Sequence, residues 1–304
     1  MFLPQSPELP WAHPAVRDLA SLLTGAAAWR TAHDMPASLL LGRDGLTRLS
    51  ALDADPSALE AWLARRPVTR LGHYAEQLLA FWFGNAPHIE LAAHNVVLRD
   101  GSRTLGEFDF LLRIDGEPWH VETCSKFYLQ ADAGSTEMVG PSLRDALPLK
   151  VAKLSRQLAL SRHPLAAAAL PAGFAGCRAG ALVRGCCFYR QPPRMGRDAP
   201  WRGWVAPLTA PWPCTDNDSR WLWLPRLRWL SPALAVASQV SDQASLRALL
   251  AEAQAPQMVA EMRESGAGWR EWRRGFVLPA GWPQAAPLAA LRAKMQKGAS
   301  MDAP

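Results

Sequence analysis

The chain has 304 residues, of which 49% are hydrophobic and 20% charged, a composition typical of a soluble globular protein and not of a disordered or fibrous one. The formal net charge of +6 permits a polyanionic partner without requiring one. The five cysteines include no Cys-x-x-Cys pair, which argues against a disulfide framework and against a structural zinc site.

The N-terminal residues lack the charged and apolar regions of a signal peptide. The most apolar stretch, residues 164–183, is interrupted by Pro171, three glycines and Arg178, so we expect no membrane span. These features favour a cytoplasmic protein.

Helices are predicted before the first strand. Apolar residues recur at helical spacing from Val16 to Trp29, and Pro56-Ser57 opens a segment that ends near Ala64 in the manner of a helix start. We therefore expect residues 1–64 to form a helical extension.

The clearest predicted helix runs from Arg70 to Phe83 and ends at Gly84. Glu76 lies at the edge of its apolar stripe, and two interpretations are open. The carboxylate either pairs with Arg70 or the turn that holds His73, or it reaches a site on the strands that follow.

A β-hairpin is predicted after a strand over residues 88–99. Residues 106–129 form two runs rich in aromatic and β-branched residues around Asp115-Gly116. This dipeptide favours a type I′ turn, because that turn needs two residues that tolerate positive φ. One face of the hairpin, which includes Phe108 and Phe110, is expected to be apolar.

The register of this hairpin places two acids opposite one another. A two-residue turn pairs Ile114 with Glu117, and counting back puts Asp109 directly opposite Glu122. Like charges at this spacing destabilise a sheet, whereas Mg²⁺ or Mn²⁺ is held by such carboxylates. Asp109 and Glu122 are therefore predicted metal ligands, and Lys126 falls on their face. The alternative is a solvent-exposed polar face with scattered charges.

A second prominent helix is predicted from Ser142 to about Ser161, with Pro148 as a kink or a second start. Its polar side is either a surface that follows a phosphate backbone or a solvated charged face. The predicted nucleic-acid-binding residues are Arg144, Lys150, Lys153, Arg156 and Gln157.

The rest of the chain changes in composition after a predicted strand over residues 179–189. Residues 191–229 are dense in Pro, Trp and Arg, which favours a small, irregular β-rich subdomain over a surface that stacks bases. Residues 241–263 predict an amphipathic helix and residues 270–282 a short strand. The tail, residues 293–304, is expected to be disordered.

The chain resembles the PD-(D/E)xK nuclease-like superfamily in the order of its predicted elements, which is helix, three strands, helix and strand. It also has an acid on the first helix and two acids and a lysine on the second and third strands. More narrowly, the segments LGHYAEQLLAFWF, GEFDFLL, HVETCSKFYL and RGFVLPAGWP resemble a bacterial family described as a domain of unknown function, DUF1853. The resemblance implies an α/β fold with a restriction-endonuclease-like core of α-β-β-β-α-β order, in which helices flank a mixed sheet. This core, at residues 65–190, would precede a Trp/Arg- and Pro-rich C-terminal subdomain at residues 191–292.

The resemblance also implies roles for individual residues. Glu76 matches the acid of the first helix, Asp109 the metal ligand of the second strand and Glu122 the acid of the third. The lysine of the superfamily stands two residues after that acid, where this chain has Cys124, so Lys126 is the candidate in its place.

We therefore expect a metal-dependent phosphodiesterase that acts on nucleic acid with Mg²⁺ or Mn²⁺. Asp109 and Glu122 would hold the metal, Lys126 would orient a water or offset charge, and Glu76 would hold an outer water or a second metal. The main alternative is a catalytically inactive nuclease-like module that binds nucleic acid or protein. Under the first hypothesis, Glu122→Ala and Asp109→Ala abolish cleavage, and the loss of repulsion could raise the melting temperature.

Overall fold

The structure, a computed structural model, describes residues 6–191, 201–213, 218–266 and 268–301. The fold is mixed α/β, and its chain divides into two units. The hairpin unit comprises Leu9–Ser125 and Val151–Arg184. The tryptophan unit comprises Met1–Glu8, Lys126–Lys150 and Gly185–Pro304, so far as these residues are described. The predicted core, residues 65–190, is thus shared between the two units.

Helices occupy the first part of the hairpin unit, as the sequence predicts. The helix predicted from Val16 to Trp29 ends at Thr24, because Gly25 is a poor helix former and takes an extended conformation. The segment after Pro56 is helical, as expected from its start signal. The helices are α1 (Pro14–Thr24), α2 (Ala37–Leu41), α3 (Gly45–Ala54), α4 (Ser57–Ala64) and α5 (Leu71–Asn85).

Three long strands follow α5, and they confirm the predicted hairpin. They are β1 (Ile89–Asp100), β2 (Arg103–Ile114) and β3 (Glu117–Gln130), and β2 lies antiparallel to both of its neighbours. Asp115 and Gly116 have φ values of 50° and 84°, as a type I′ turn requires.

The segment after the hairpin contains β4 (Met138–Val139), α6 (Leu147–Leu158), α7 (Ala166–Ala169) and β5 (Arg178–Tyr189). Helix α6 begins at Leu147 and not at Ser142, because Pro148 fits the first turn of a helix, where its missing N–H has no intrahelical partner. Apart from the short β4 and α7, the order of elements from α5 to β5 is the predicted one. The restriction-endonuclease-like topology itself stays a prediction.

The tryptophan unit contains a mixed sheet. Within it, β6 runs parallel to β5 and to β10, whereas β9 runs antiparallel to β10 and to β7, and β8 pairs with β10. The elements first named here are β6 (Arg202–Pro207), β7 (Arg220–Leu224), β8 (Leu234–Ala235), α8 (Gln243–Leu249), β9 (Gln257–Ser265), β10 (Gly268–Leu278) and α9 (Ala285–Met301).

Tryptophans build the core of this unit. Trp204, Trp212 and Trp221 are each less than 5% exposed, and their rings contact one another with centroids 5.1 to 6.3 Å apart. This arrangement supports packing, and not base stacking, for these three side chains. Residues 192–200 and 214–217 of the Trp- and Arg-rich segment lie outside the described residues.

Two sequence predictions in this unit are wrong. The helix predicted over residues 241–263 ends at Leu249, and β9 begins at Gln257, because Pro256 cannot continue a helix and the next residues are buried between two strands. The tail predicted as disordered is helical from residue 293 to Met301, and Arg292 anchors this helix to Glu137 at 2.7 Å. Residues 302–304 lie outside the described part.

The four cysteines that the structure describes, at positions 124, 177, 186 and 187, are buried and form no disulfide bond, while Cys214 lies outside the described residues. None of the described helices combines the length and the apolar character that crossing a membrane requires.

Candidate functional site

The hairpin brings Asp109 and Glu122 together, but not as the directly paired residues that the register predicts. Regular pairing of β2 and β3 extends from the turn to Phe110 and Val121. Beyond that point, hydrogen bonds accepted by side chains join the two strands. Glu122 Oε1 accepts the Asp109 N–H at 3.4 Å, and Asp109 Oδ2 accepts the Thr123 N–H at 2.8 Å and its hydroxyl at 3.1 Å. Each acid therefore bonds to the other strand.

The irregularity at Asp109 also changes which side chains share a face. Phe108 packs with the buried cluster that contains Leu111, whereas Phe110 contacts the ring of Phe83 at 5.1 Å. The two phenylalanines thus lie on different sides, contrary to prediction. In β1, His94 pairs with Phe110 and Val96 pairs with Phe108. Asn95 lies between them and has a φ of 55°, which breaks the alternation of faces along that strand.

His120 is the partner of Glu122 that the sequence analysis missed. Its Nε2 lies 2.6 Å from Glu122 Oε1, and both side chains are at most 1% exposed. Burial lowers the pKa of His120 to about 4, against the opposing effect of the Asp109 charge. The imidazole is therefore neutral at pH 7, and its Nε2–H donates to the carboxylate. The signal in the sequence was the spacing of two, which places both residues on one side of β3.

This group of residues does not fit a Mg²⁺ ion. Such an ion needs near-octahedral oxygen ligands and usually keeps several waters. Glu122 is only 1% exposed, and Asp109 Oδ2 already accepts two hydrogen bonds from Thr123. Within the described residues, no group of three or more His, Cys, Asp or Glu could hold a metal ion.

Lys126 has a partner that the sequence did not indicate. Its Nζ donates to Asp145 at 2.6 Å, and the two side chains are 36% and 35% exposed. The backbone at Lys126 is closely approached by Gly185, where a Cβ would lie only 1.8 Å from the Lys126 carbonyl oxygen. Asp145 was missed because it lies in the loop before α6, where no local pattern links it to β3. A catalytic role for Lys126 stays a prediction.

The residues predicted to bind nucleic acid differ in exposure. Arg144, Lys153 and Arg156 are exposed, whereas Lys150 and Gln157 are half-buried. The side-chain oxygen of Gln157 is buried and accepts no hydrogen bond. The exposed residues among those predicted on α6 are therefore Lys153 and Arg156.

Glu76 lies in a different environment from the hairpin acids. It is half-buried and lines a cavity of about 410 Å³ that lies wholly within the hairpin unit. The lining includes Phe110 but neither Asp109 nor Glu122. The other lining residues come from the end of α4, the segment after it, α5 and β1, and they are Trp62, Arg65, Arg66, Val68, His73, Gln77, Ala80, His94 and Asn95.

Comparisons with known proteins give one match. The sequence model of the family described as a domain of unknown function, DUF1853, matches residues 3–278. Comparison with curated proteins and with solved structures gives no match. The family match confirms the narrower of the two resemblances, while the link to the PD-(D/E)xK superfamily stays a prediction.

Proposed function

We propose that this chain, which belongs to the DUF1853 family, is a nuclease-like module that binds nucleic acid and does not cleave it. The burial of Glu122 carries this proposal. The Glu122 carboxylate is 1% exposed and accepts hydrogen bonds from His120 on its own strand and from the Asp109 N–H on β2, so it offers no open face to a metal or a scissile phosphate.

The charge of the chain supports nucleic acid as the partner. The net charge is +6, and Lys153 and Arg156, both in α6 and in the hairpin unit, expose their side chains. Arginine and lysine at a surface bind phosphates of any sequence and release counterions, so the affinity falls as the salt concentration rises. The proposed binding is therefore sequence-blind.

A metal-dependent phosphodiesterase of the PD-(D/E)xK type is the second candidate. The observation that favours it is the position of Asp109. Its carboxylate is half-buried, accepts a hydrogen bond from Thr123, which follows Glu122, and raises the pKa of His120 through its charge. This candidate requires that Glu122 be released from His120, so that it and Asp109 become the ligands of Mg²⁺ or Mn²⁺, with Glu76 in a supporting role.

The first candidate is tested by measuring the affinity of the chain for labelled single- and double-stranded DNA and RNA, with EDTA present to remove divalent metal ions. We expect Lys153→Gln and Arg156→Gln each to weaken binding several-fold and to reduce the logarithmic salt slope by about one. Arg103→Gln, which removes an exposed charge from β2, is the matched control and should change neither quantity. Failure to bind any of the four substrates at low salt would refute the proposal.

Incubation of the same substrates with Mg²⁺ or Mn²⁺ separates the two candidates. The binding module leaves them intact in both the wild type and Glu122→Gln. Cleavage by the wild type that Glu122→Gln abolishes, with the fold retained, would establish the phosphodiesterase and overturn the module.

A further inference from the structure

We infer that the cavity beside Glu76 binds a nucleoside monophosphate, with the base inside and the phosphate at Arg65 and Arg66. The nucleotide is either free or the terminal unit of a single strand. The inference deepens the proposed nucleic-acid binding, and in its second form it rests on that function.

The size and the walls of the cavity suit a flat ring. Its volume of about 410 Å³ lies within the range of roughly 300–1,000 Å³ for small-molecule sites. Trp62, Ala80 and Phe110 supply apolar surface to the lining. Trp62 is held in place because its Nε1–H donates to the Gln77 carbonyl at 3.0 Å, and Phe110 is fixed by its contact with Phe83. Rigid walls reduce the entropy lost on binding.

Two neighbouring residues of the lining, Glu76 and Gln77, carry hydrogen-bond acceptors. The Gln77 Nε2–H donates to the Arg66 carbonyl at 2.7 Å, which fixes the orientation of the amide. Gln77 Oε1 is buried without a donor, and an unsatisfied buried acceptor destabilises the empty site. An N–H on the edge of a base would satisfy this oxygen. Glu76, the neighbour of Gln77 in the lining, adds a carboxylate.

Guanine is the base that matches these acceptors best, because its N1–H and 2-amino group are adjacent donors. A site built to hydrogen-bond such donors discriminates strongly against an analogue that lacks one of them.

The exposed residues of the lining include hydrogen-bond donors that suit a phosphate. Arg65, Arg66, His73 and His94 are exposed, and guanidinium groups match phosphate geometry with two parallel hydrogen bonds. The Arg65 guanidinium also lies 5.7 Å from the centroid of the Trp62 ring, so cation and aromatic wall adjoin. A lining that combines the acceptors of Glu76 and Gln77 with two exposed guanidinium groups is the arrangement that a base with its phosphate requires.

Isothermal titration of the full chain with GMP, IMP and guanosine tests the inference. IMP lacks the 2-amino group and guanosine lacks the phosphate, so we expect each to bind about tenfold more weakly than GMP. Gln77→Leu should weaken GMP binding at least tenfold, and Arg66→Gln several-fold. Arg103→Gln, which changes no lining residue, should not alter it, and far-UV circular dichroism checks that each variant folds.

Competition by GMP against a labelled single strand separates the two forms of the ligand. If strands bind while GMP neither binds nor competes, and Gln77→Leu leaves strand binding unchanged, the cavity inference is overturned and the proposed function stands. If GMP binds, Gln77→Leu weakens it and no strand binds, the cavity takes a free nucleotide and the proposed function is overturned. GMP binding that Gln77→Leu does not change would also overturn the cavity inference.

Discussion

Two buried carboxylates, one in each unit, have partners of different chemistry. Glu122 in the hairpin unit accepts from the imidazole of His120, which is neutral at pH 7. Glu271 in the tryptophan unit binds the guanidinium of Arg274 through two hydrogen bonds of 2.7 Å and also accepts from the Ser6 hydroxyl at 2.6 Å. Both carboxylates are at most 3% exposed as residues, so burial does not distinguish them.

The difference lies in how each partner responds to pH. A guanidinium stays charged throughout the range in which proteins fold, so the Glu271 pair is a permanent ion pair. An imidazole changes its charge near neutrality, and burial keeps this one neutral until the pH is low. A buried acid in this chain is thus explained by its partner, and an acid on a strand is not by itself evidence of metal chemistry.

The largest effect is expected from Glu271→Ala. Arg274 is fully buried, and loss of its counter-charge should lower the free energy of unfolding by about 4 kcal/mol. Urea unfolding at pH 7 measures this loss. Glu264→Ala removes an exposed acid from the same unit and should cost less than about 0.5 kcal/mol. A loss under about 1 kcal/mol for Glu271→Ala would show that the ion pair is not important for stability.

A smaller loss is expected from Glu122→Ala. The substitution leaves the buried His120 Nε2–H and the Asp109 N–H without an acceptor, which should cost about 3 kcal/mol. Glu122→Gln should cost less, because its amide oxygen still accepts from His120. Glu117→Ala, exposed on the same strand, is the control. An unchanged or raised melting temperature for Glu122→Ala would restore the sequence-based interpretation of two repelling acids.

The smallest effect is the pH dependence from His120. The pKa of a histidine is about 6.5 in the unfolded chain, and burial lowers that of His120 to about 4 in the folded state. As the pH falls through this window the unfolded state takes up the proton first, so folded stability decreases by about 2 kcal/mol at pH 5. His120→Gln should remove this part of the slope of unfolding free energy against pH. Equal slopes in wild type and His120→Gln would contradict the assignment.

Local features of the sequence determined several elements correctly. Asp115-Gly116 specified the turn and the first pairs of the hairpin, because two residues that tolerate positive φ leave few alternatives. The helical period from Leu71 onwards specified α5, and Pro56-Ser57 marked the start of α4. Segments such as HVETCSKFYL indicated the family, which the match over residues 3–278 confirms. Each of these signals depends on residues close together in the chain.

Tertiary structure alone decided the environment of the candidate residues. The ladder ends before Asp109 because its carboxylate and that of Glu122 bond to the backbone across the hairpin. Lys126 pairs with Asp145, which no local pattern links to it. Burial selected the neutral form of His120, and packing between strands made β9 extended within a segment whose amphipathic pattern predicted a helix. These outcomes depend on desolvation and on contacts between distant residues, and a local pattern carries neither.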